Sequence, residues 1–100
     1  MDLIYHPKAD DEVLESARFY ERQSKGLGWR FLRAVREAEA RIVRTPHAFP
    51  FLDEPIRKCV LPGFPFNVLF QIGDANMFIV AVAHHRRRPR YWRRRLRGRA

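Results

Sequence analysis

Two periods of apolar spacing run along this chain, and the change from one to the other falls near its middle. Leu3-Ile4-Tyr5 is a short apolar run stopped by Pro7, as expected of an opening strand. Pro7 suits the first turn of a helix, and Asp10, Asp11 and Glu12 complement the positive end of the helix dipole. From Lys8 to about Ser24, Val13, Ala17 and Tyr20 recur every three or four residues with Leu14 beside them, which predicts an amphipathic helix. Lys25-Gly26-Leu27-Gly28 breaks it. A second helical pattern starts at Trp29, uses Leu32, Val35, Ala38, Glu39 and Ile42, and ends before Thr45-Pro46. Two such helices joined by a glycine turn read as an antiparallel helical hairpin. Trp29 and Phe31 are expected in its core.

The second half has strand spacing. His47 to Pro55, with two prolines and two acids, reads as a loop. Ile56 to Leu61 mixes basic and apolar residues, and Pro62-Gly63-Phe64-Pro65 is a turn. Phe66, Val68, Phe70 and Ile72 then form one face of a strand, with Asn67, Leu69 and Gln71 on the other. Gly73-Asp74-Ala75-Asn76 is a tight connection, and Met77 to Ala83 is a nearly continuous apolar strand that belongs inside a sheet. His84 is expected on the face of Phe78, Val80 and Val82, with His85 on the other. A short helix is expected from Pro89 onward. The order β-α-α-β-β-β-(α) predicts an α+β fold, an antiparallel sheet packed by an N-terminal helical hairpin.

One hundred residues make a single domain, 1–100, and an apolar content of 46% supplies a core. No apolar run approaches the roughly 20 residues that span a bilayer, and the opening stretch lacks the pattern of a signal peptide. A cytoplasmic protein is expected. Cys59, the one cysteine, is expected as a small apolar residue in a strand. Charge changes the picture more. Residues 1–74 hold eleven Lys and Arg against eleven Asp and Glu, so the formal net charge of +9 comes entirely from the nine arginines after Asp74. A neutral body with a basic tail from about residue 86 implies a polyanion or an acidic protein partner. His84 and His85 are sequence neighbours that point apart on a strand, and His6 and His47 are isolated, so no metal site is expected. Nothing in the pattern calls for a cofactor, a membrane or a small-molecule substrate.

Taken together, HPKADDEVLESARFYE, GLGWRFLRAVREAEARIVRTP, RKCVLPGFPFNVLFQI and FIVAVAHHRRRPRYW resemble the RelE/ParE superfamily of plasmid-stabilisation toxins, from Leu3 to about Trp92. The resemblance implies the toxin component of a type II toxin–antitoxin system, neutralised by a cognate antitoxin. It leaves the target open, because a fold does not fix a function. RelE-like members cut mRNA on the ribosome; ParE-like members inhibit DNA gyrase and need no nuclease site.

For metal-free RNA cleavage the candidates are Arg57, Lys58, His84 and Tyr91, which would stabilise the phosphorane, exchange protons and stack on a base. RelE-like ribonucleases also carry an arginine in the middle of the strand that here reads FPFNVLF; this chain has Asn67 there. A neutral amide lacks the bidentate, charge-assisted pairing that arginine offers a phosphate. The His84-His85-Arg86-Arg87-Arg88-Pro89 run instead resembles the end of the last strand in ParE-like proteins. On that reading the target- or nucleic-acid-binding residues are His85, Arg86, Arg87, Arg88, Arg90, Trp92 and Arg93, although Tyr91 and Trp92 read equally as a cap on the core. A non-toxic nucleic-acid-binding module is the further alternative.

Overall fold

The hairpin forms because apolar residues repeat at helical spacing and both helix starts are capped from within the chain. In the computed structural model, which describes residues 2–96, strand β1 (Asp2–Tyr5) leads into helix α1 (Pro7–Gln23). The His6 side chain accepts from the Lys8 amide at the head of α1. Helix α2 (Leu27–Arg44) starts after Gly26, whose φ of 88° is a left-handed conformation that favours glycine. Glu21, near the end of α1, caps α2 with both oxygens, accepting from the amides of Gly26 and Gly28 at 2.9 Å each. A Cβ on Gly28 would stand 2.5 Å from the Ala17 carbonyl oxygen, so glycine here lets the two helices touch.

The inward residues are Ala9, Val13 and Ala17 on α1 and Phe31, Val35, Ala38 and Ile42 on α2. Trp29, expected in the core, is 70% exposed. It lies two residues before Phe31, about 200° around a helix of 3.6 residues per turn, and so faces outward.

Beyond α2, a turn of 3-10 helix (Pro46–Ala48) precedes strands β2 (Phe51–Asp53), β3 (Ile56–Val60), β4 (Phe66–Ile72) and β5 (Asn76–His84). They form one five-stranded sheet in the order β1-β5-β4-β3-β2. The fold is α+β as expected, with two differences. The sheet is mixed, not wholly antiparallel: β1 runs parallel to β5, a pairing that needs a long connection and has one in nearly the whole chain. The stretch read as a loop also contains β2, an edge strand of three residues between Pro50 and Pro55, too short to show a period. Met77–Ala83 lies inside the sheet, between β1 and β4.

A β-bulge decides which side chains meet which layer. Leu69 pairs with Ala81 but Phe70 pairs with Ile79, so β5 carries one extra residue at Val80. Ile79 and Val82 therefore pack under the helices with Phe66, Val68 and Phe70, while Val80, Ala81 and Ala83 turn to the opposite face with Leu69 and Ile56. Strict alternation put His84 on one face with both Val80 and Val82. Across the bulge it keeps only Val82, and its ring stands edge-on to Phe66 at 5.0 Å. Cys59 is fully buried on the helix side, and burial pushes its thiol pKa up.

The second face of the sheet is covered by the end of the chain. From His85 the backbone turns back, passes Arg90 in a left-handed conformation (φ 62°), and ends its described part in a 3-10 turn, Arg93–Leu96, where a short helix was expected from Pro89. Trp92, 2% exposed, packs with Ile56, Leu69, Val80, Ala81 and Ala83, with Tyr91 and Leu96 against them. The sheet is thus the middle of three layers.

Candidate functional site

The arginine-rich end is held by two carboxylates from distant parts of the chain. Strand β1 stops opposite Ile79, where the His6 amide donates to the Ile79 carbonyl at 2.9 Å. Past that point, among the described residues, β5 has no neighbouring strand on this side. Two side chains take the next rungs: the Val82 amide donates to Glu12 Oε1 at 3.0 Å, and Arg95 Nη1 donates to the Val80 carbonyl at 3.0 Å. Arg95 and Glu12 also pair with each other through two bonds of 2.9 Å, the bidentate geometry that gives the strongest charge-assisted contact. Tyr91 donates its hydroxyl to Glu12 Oε2 at 2.6 Å. Burial, reinforced by the Glu12 hydrogen bond and charge, raises the Tyr91 pKa well above the ordinary phenol value. Burial works against the charged form of Arg95, but Glu12 more than offsets it and the Arg95 pKa rises.

The second anchor is Asp53 on β2, which accepts from Arg93 at 2.5 Å and pairs with Arg90 at 3.3 Å. Trp92 fills the apolar floor between the two anchors. It was expected at a target-binding position, but its burial gives it no surface to present. Arg87 lies 3.8 Å over the Tyr91 ring and 3.9 Å from Glu12. Arg86, Arg88 and Arg94 are exposed and have no ion pair among the described residues, and His85 is exposed beside them. Of these, Arg88 and Arg94 line a cleft of about 510 Å³ together with Arg87, Arg90 and Lys8 from α1, and among the described residues no acid lines it.

Three of the four candidate nuclease residues are engaged with other partners. Arg57 Nη1 donates to the carbonyls of Phe49 at 2.7 Å and His47 at 3.4 Å, and its guanidinium lies 4.0 Å over the Phe51 ring. Lys58 is the next residue on β3, so it points to the opposite face of the sheet. His84 Nδ1 accepts from the Arg86 amide at 3.0 Å. Burial, with Arg86 and His85 nearby, lowers the His84 pKa, which favours the neutral ring. Tyr91 is bound to Glu12. Among the described residues no hydrogen bond or ion pair links any two of the four. Asn67 sits on the tail side of β4, its Oδ1 buried and without a hydrogen-bond partner among the described residues. It borders a cavity of about 270 Å³ that two of the candidates, His84 and Tyr91, also line, with Leu69, Ala83, Arg88 and Trp92.

Sequence reasoning missed Glu12 and Asp53 as the groups that organise this end. Glu12 looked like a helix-start acid and Asp53 like part of a loop. Arg95 and Glu12 are separated by 83 positions, and no local pattern joins them.

A helical hairpin laid on a mixed five-stranded sheet, with a basic C-terminal layer behind it, defines a small three-layer α+β protein. Comparison sharpens this. The sequence model of the ParE toxin of type II toxin–antitoxin systems, parDE, matches residues 3–89, and the chain belongs to that family. Among solved structures it is similar to a chain of the chromosomal ParDE toxin–antitoxin system from P. aeruginosa, with a TM-score of 0.62 and 17% identity, covering 84% of this chain and 95% of that one. At that identity the likeness speaks for the fold. No curated protein matches the chain.

Proposed function

We propose that this ParE-family protein acts on DNA gyrase, without cutting RNA, and is held silent by a cognate antitoxin in the cytoplasm. The observation that carries the reading is the wiring of the candidate nuclease residues. Arg57 is spent on two backbone carbonyls, Tyr91 on Glu12, and Asn67 stands where a phosphate-clamping arginine is needed. By analogy with removing one oxyanion donor, loss of such a clamp alone costs on the order of a hundredfold in rate. The exposed arginines suit an inhibitor that docks on a protein–DNA complex.

The test is a pulse-label experiment in bacteria after inducing the chain alone. Labelled thymidine incorporation falls first while amino-acid incorporation continues. An early stop in protein synthesis instead would sink the gyrase reading and put Arg57, Lys58, His84 and Tyr91 forward as a nuclease site.

A further inference from the structure

We propose that the cleft bordered by Lys8, Arg87, Arg88, Arg90 and Arg94 binds the sugar–phosphate backbone of duplex DNA. This names a ligand for the surface discussed above and rests on the gyrase reading for its cellular meaning, while the binding itself is measurable apart from toxicity.

Three observations lead to duplex backbone. First, the cationic residues divide by role. Glu12 holds Arg95 and Asp53 holds Arg90 and Arg93, so the tail is fixed in shape, while Arg88, Arg94 and Lys8 stay exposed and unpaired among the described residues. Anchored arginines build the wall and free ones present charge from it. Second, the concavity has about 510 Å³ of open space with no carboxylate in its lining, and Lys8 reaches it from α1, a different layer of the fold. Cations converging from two layers form a site that an extended tail would lack.

Third, the aromatic residues at the cleft offer no free ring for base stacking. Proteins that hold single strands or RNA loops stack bases on exposed aromatic rings. Here Trp92 is buried, and the Tyr91 ring carries the Arg87 guanidinium at 3.8 Å and that of Arg95 at 5.0 Å. What remains is charge without a stacking platform. That suits phosphates presented at regular intervals, as on a duplex, where contacts position a protein without reading sequence.

The experiment is fluorescence anisotropy of a labelled duplex of two helical turns titrated with the full chain, between about 50 and 200 mM salt. Binding in the micromolar range at the low end, indifferent to sequence, is expected, with a log–log salt slope of about −3 or steeper. The triple variant Lys8→Ala, Arg88→Ala, Arg94→Ala loses about 2.7 units of that slope and binds roughly a hundredfold more weakly at 100 mM salt. Arg88→Lys with Arg94→Lys keeps most of the affinity, since phosphate reads their charge. Trp92 emission in a Trp29→Phe background reports that the tail stays docked in each variant. The proposal is overturned if the triple variant binds within threefold of the parent, or if the parent binds single-stranded RNA and not duplex DNA. Arrest of DNA synthesis by a chain that binds no duplex would remove this cleft's role and leave the gyrase reading standing.

Discussion

Substituting Glu12→Gln keeps the shape of the side chain and removes its charge, which tests whether the carboxylate anchors the last layer of the fold. Glu12 accepts from the Val82 amide, the Tyr91 hydroxyl and both terminal nitrogens of Arg95, and the Arg95 side chain is only 9% exposed. A neutral amide keeps one acceptor, so the bidentate pair is lost and a largely buried guanidinium is left without its counter-charge. Breaking one partner of such a pair costs about 3 kcal/mol, at the lower end of the range for buried ion pairs because Glu12 is still 13% exposed. In a domain of this size that lowers Tm by roughly 12 °C or more. Urea unfolding followed by Trp92 emission, in the Trp29→Phe background, reads both the stability and the docking of the tail. The double variant with Arg95→Met should recover part of the loss, with a coupling of about 2 kcal/mol. If Glu12→Gln changes stability by less than about 0.5 kcal/mol, the value usual for surface positions, and leaves Trp92 emission unmoved, the anchor argument is wrong.

Other consequences are open to direct measurement. Gly28→Ala drives a methyl into the Ala17 carbonyl and should cost about 1–3 kcal/mol in denaturant unfolding, whereas a Trp29→Ser change at an exposed position should stay within about 0.5 kcal/mol. His84 titrates below its unfolded value of about 6.5, so it adds stability above that pH that is lost as pH falls through its folded pKa; unfolding scans of His84→Phe should show a flatter acid limb. Tyr91 titrates above its unfolded value of about 10, so its contribution is complete below that pH and disappears as pH rises toward its folded pKa; Tyr91→Phe should flatten the alkaline limb, leaving the parts due to Tyr5, raised by burial and Glu39, and to Tyr20 and Cys59, raised by burial. Asn67→Arg places a cation beside the cavity that Asn67 borders and should not confer RNA cleavage on the purified chain, because Arg57 and Tyr91 remain tied to their own partners.

The sequence carried the helices most plainly. Val13 and Ala17, and Val35, Ala38 and Ile42, recur at helical spacing because each helix hides only one stripe, and both helices lie within a few residues of their expected ends. The faces of β4 were legible for the same reason, with Phe66, Val68 and Phe70 under the helices and Leu69 opposite. On β5 the same method failed beyond Ile79, since a bulge inserts one residue without altering composition and both faces there are apolar. β2 was too short to show a period. The tail was the largest miss. Nine arginines mask a single tryptophan, and the carboxylates that hold Arg90, Arg93 and Arg95 come from α1 and β2. A charge run read alone cannot show which of its members have partners.

The pairing of β1 with β5 sets the order in which the molecule can be completed. Residues 2–5 wait for residues 76–79, and Glu12 waits for Arg95. During synthesis the helical hairpin is available early, because its contacts are local, whereas the sheet lacks its inner strand until β5 has been made. Contacts of long sequence separation form slowly and leave apolar surface open meanwhile. A nascent chain therefore spends most of its synthesis with α1 and α2 able to pair and the face beneath them incomplete, and only at the end do the inner strand, the Trp92 layer and the basic cleft come into being together.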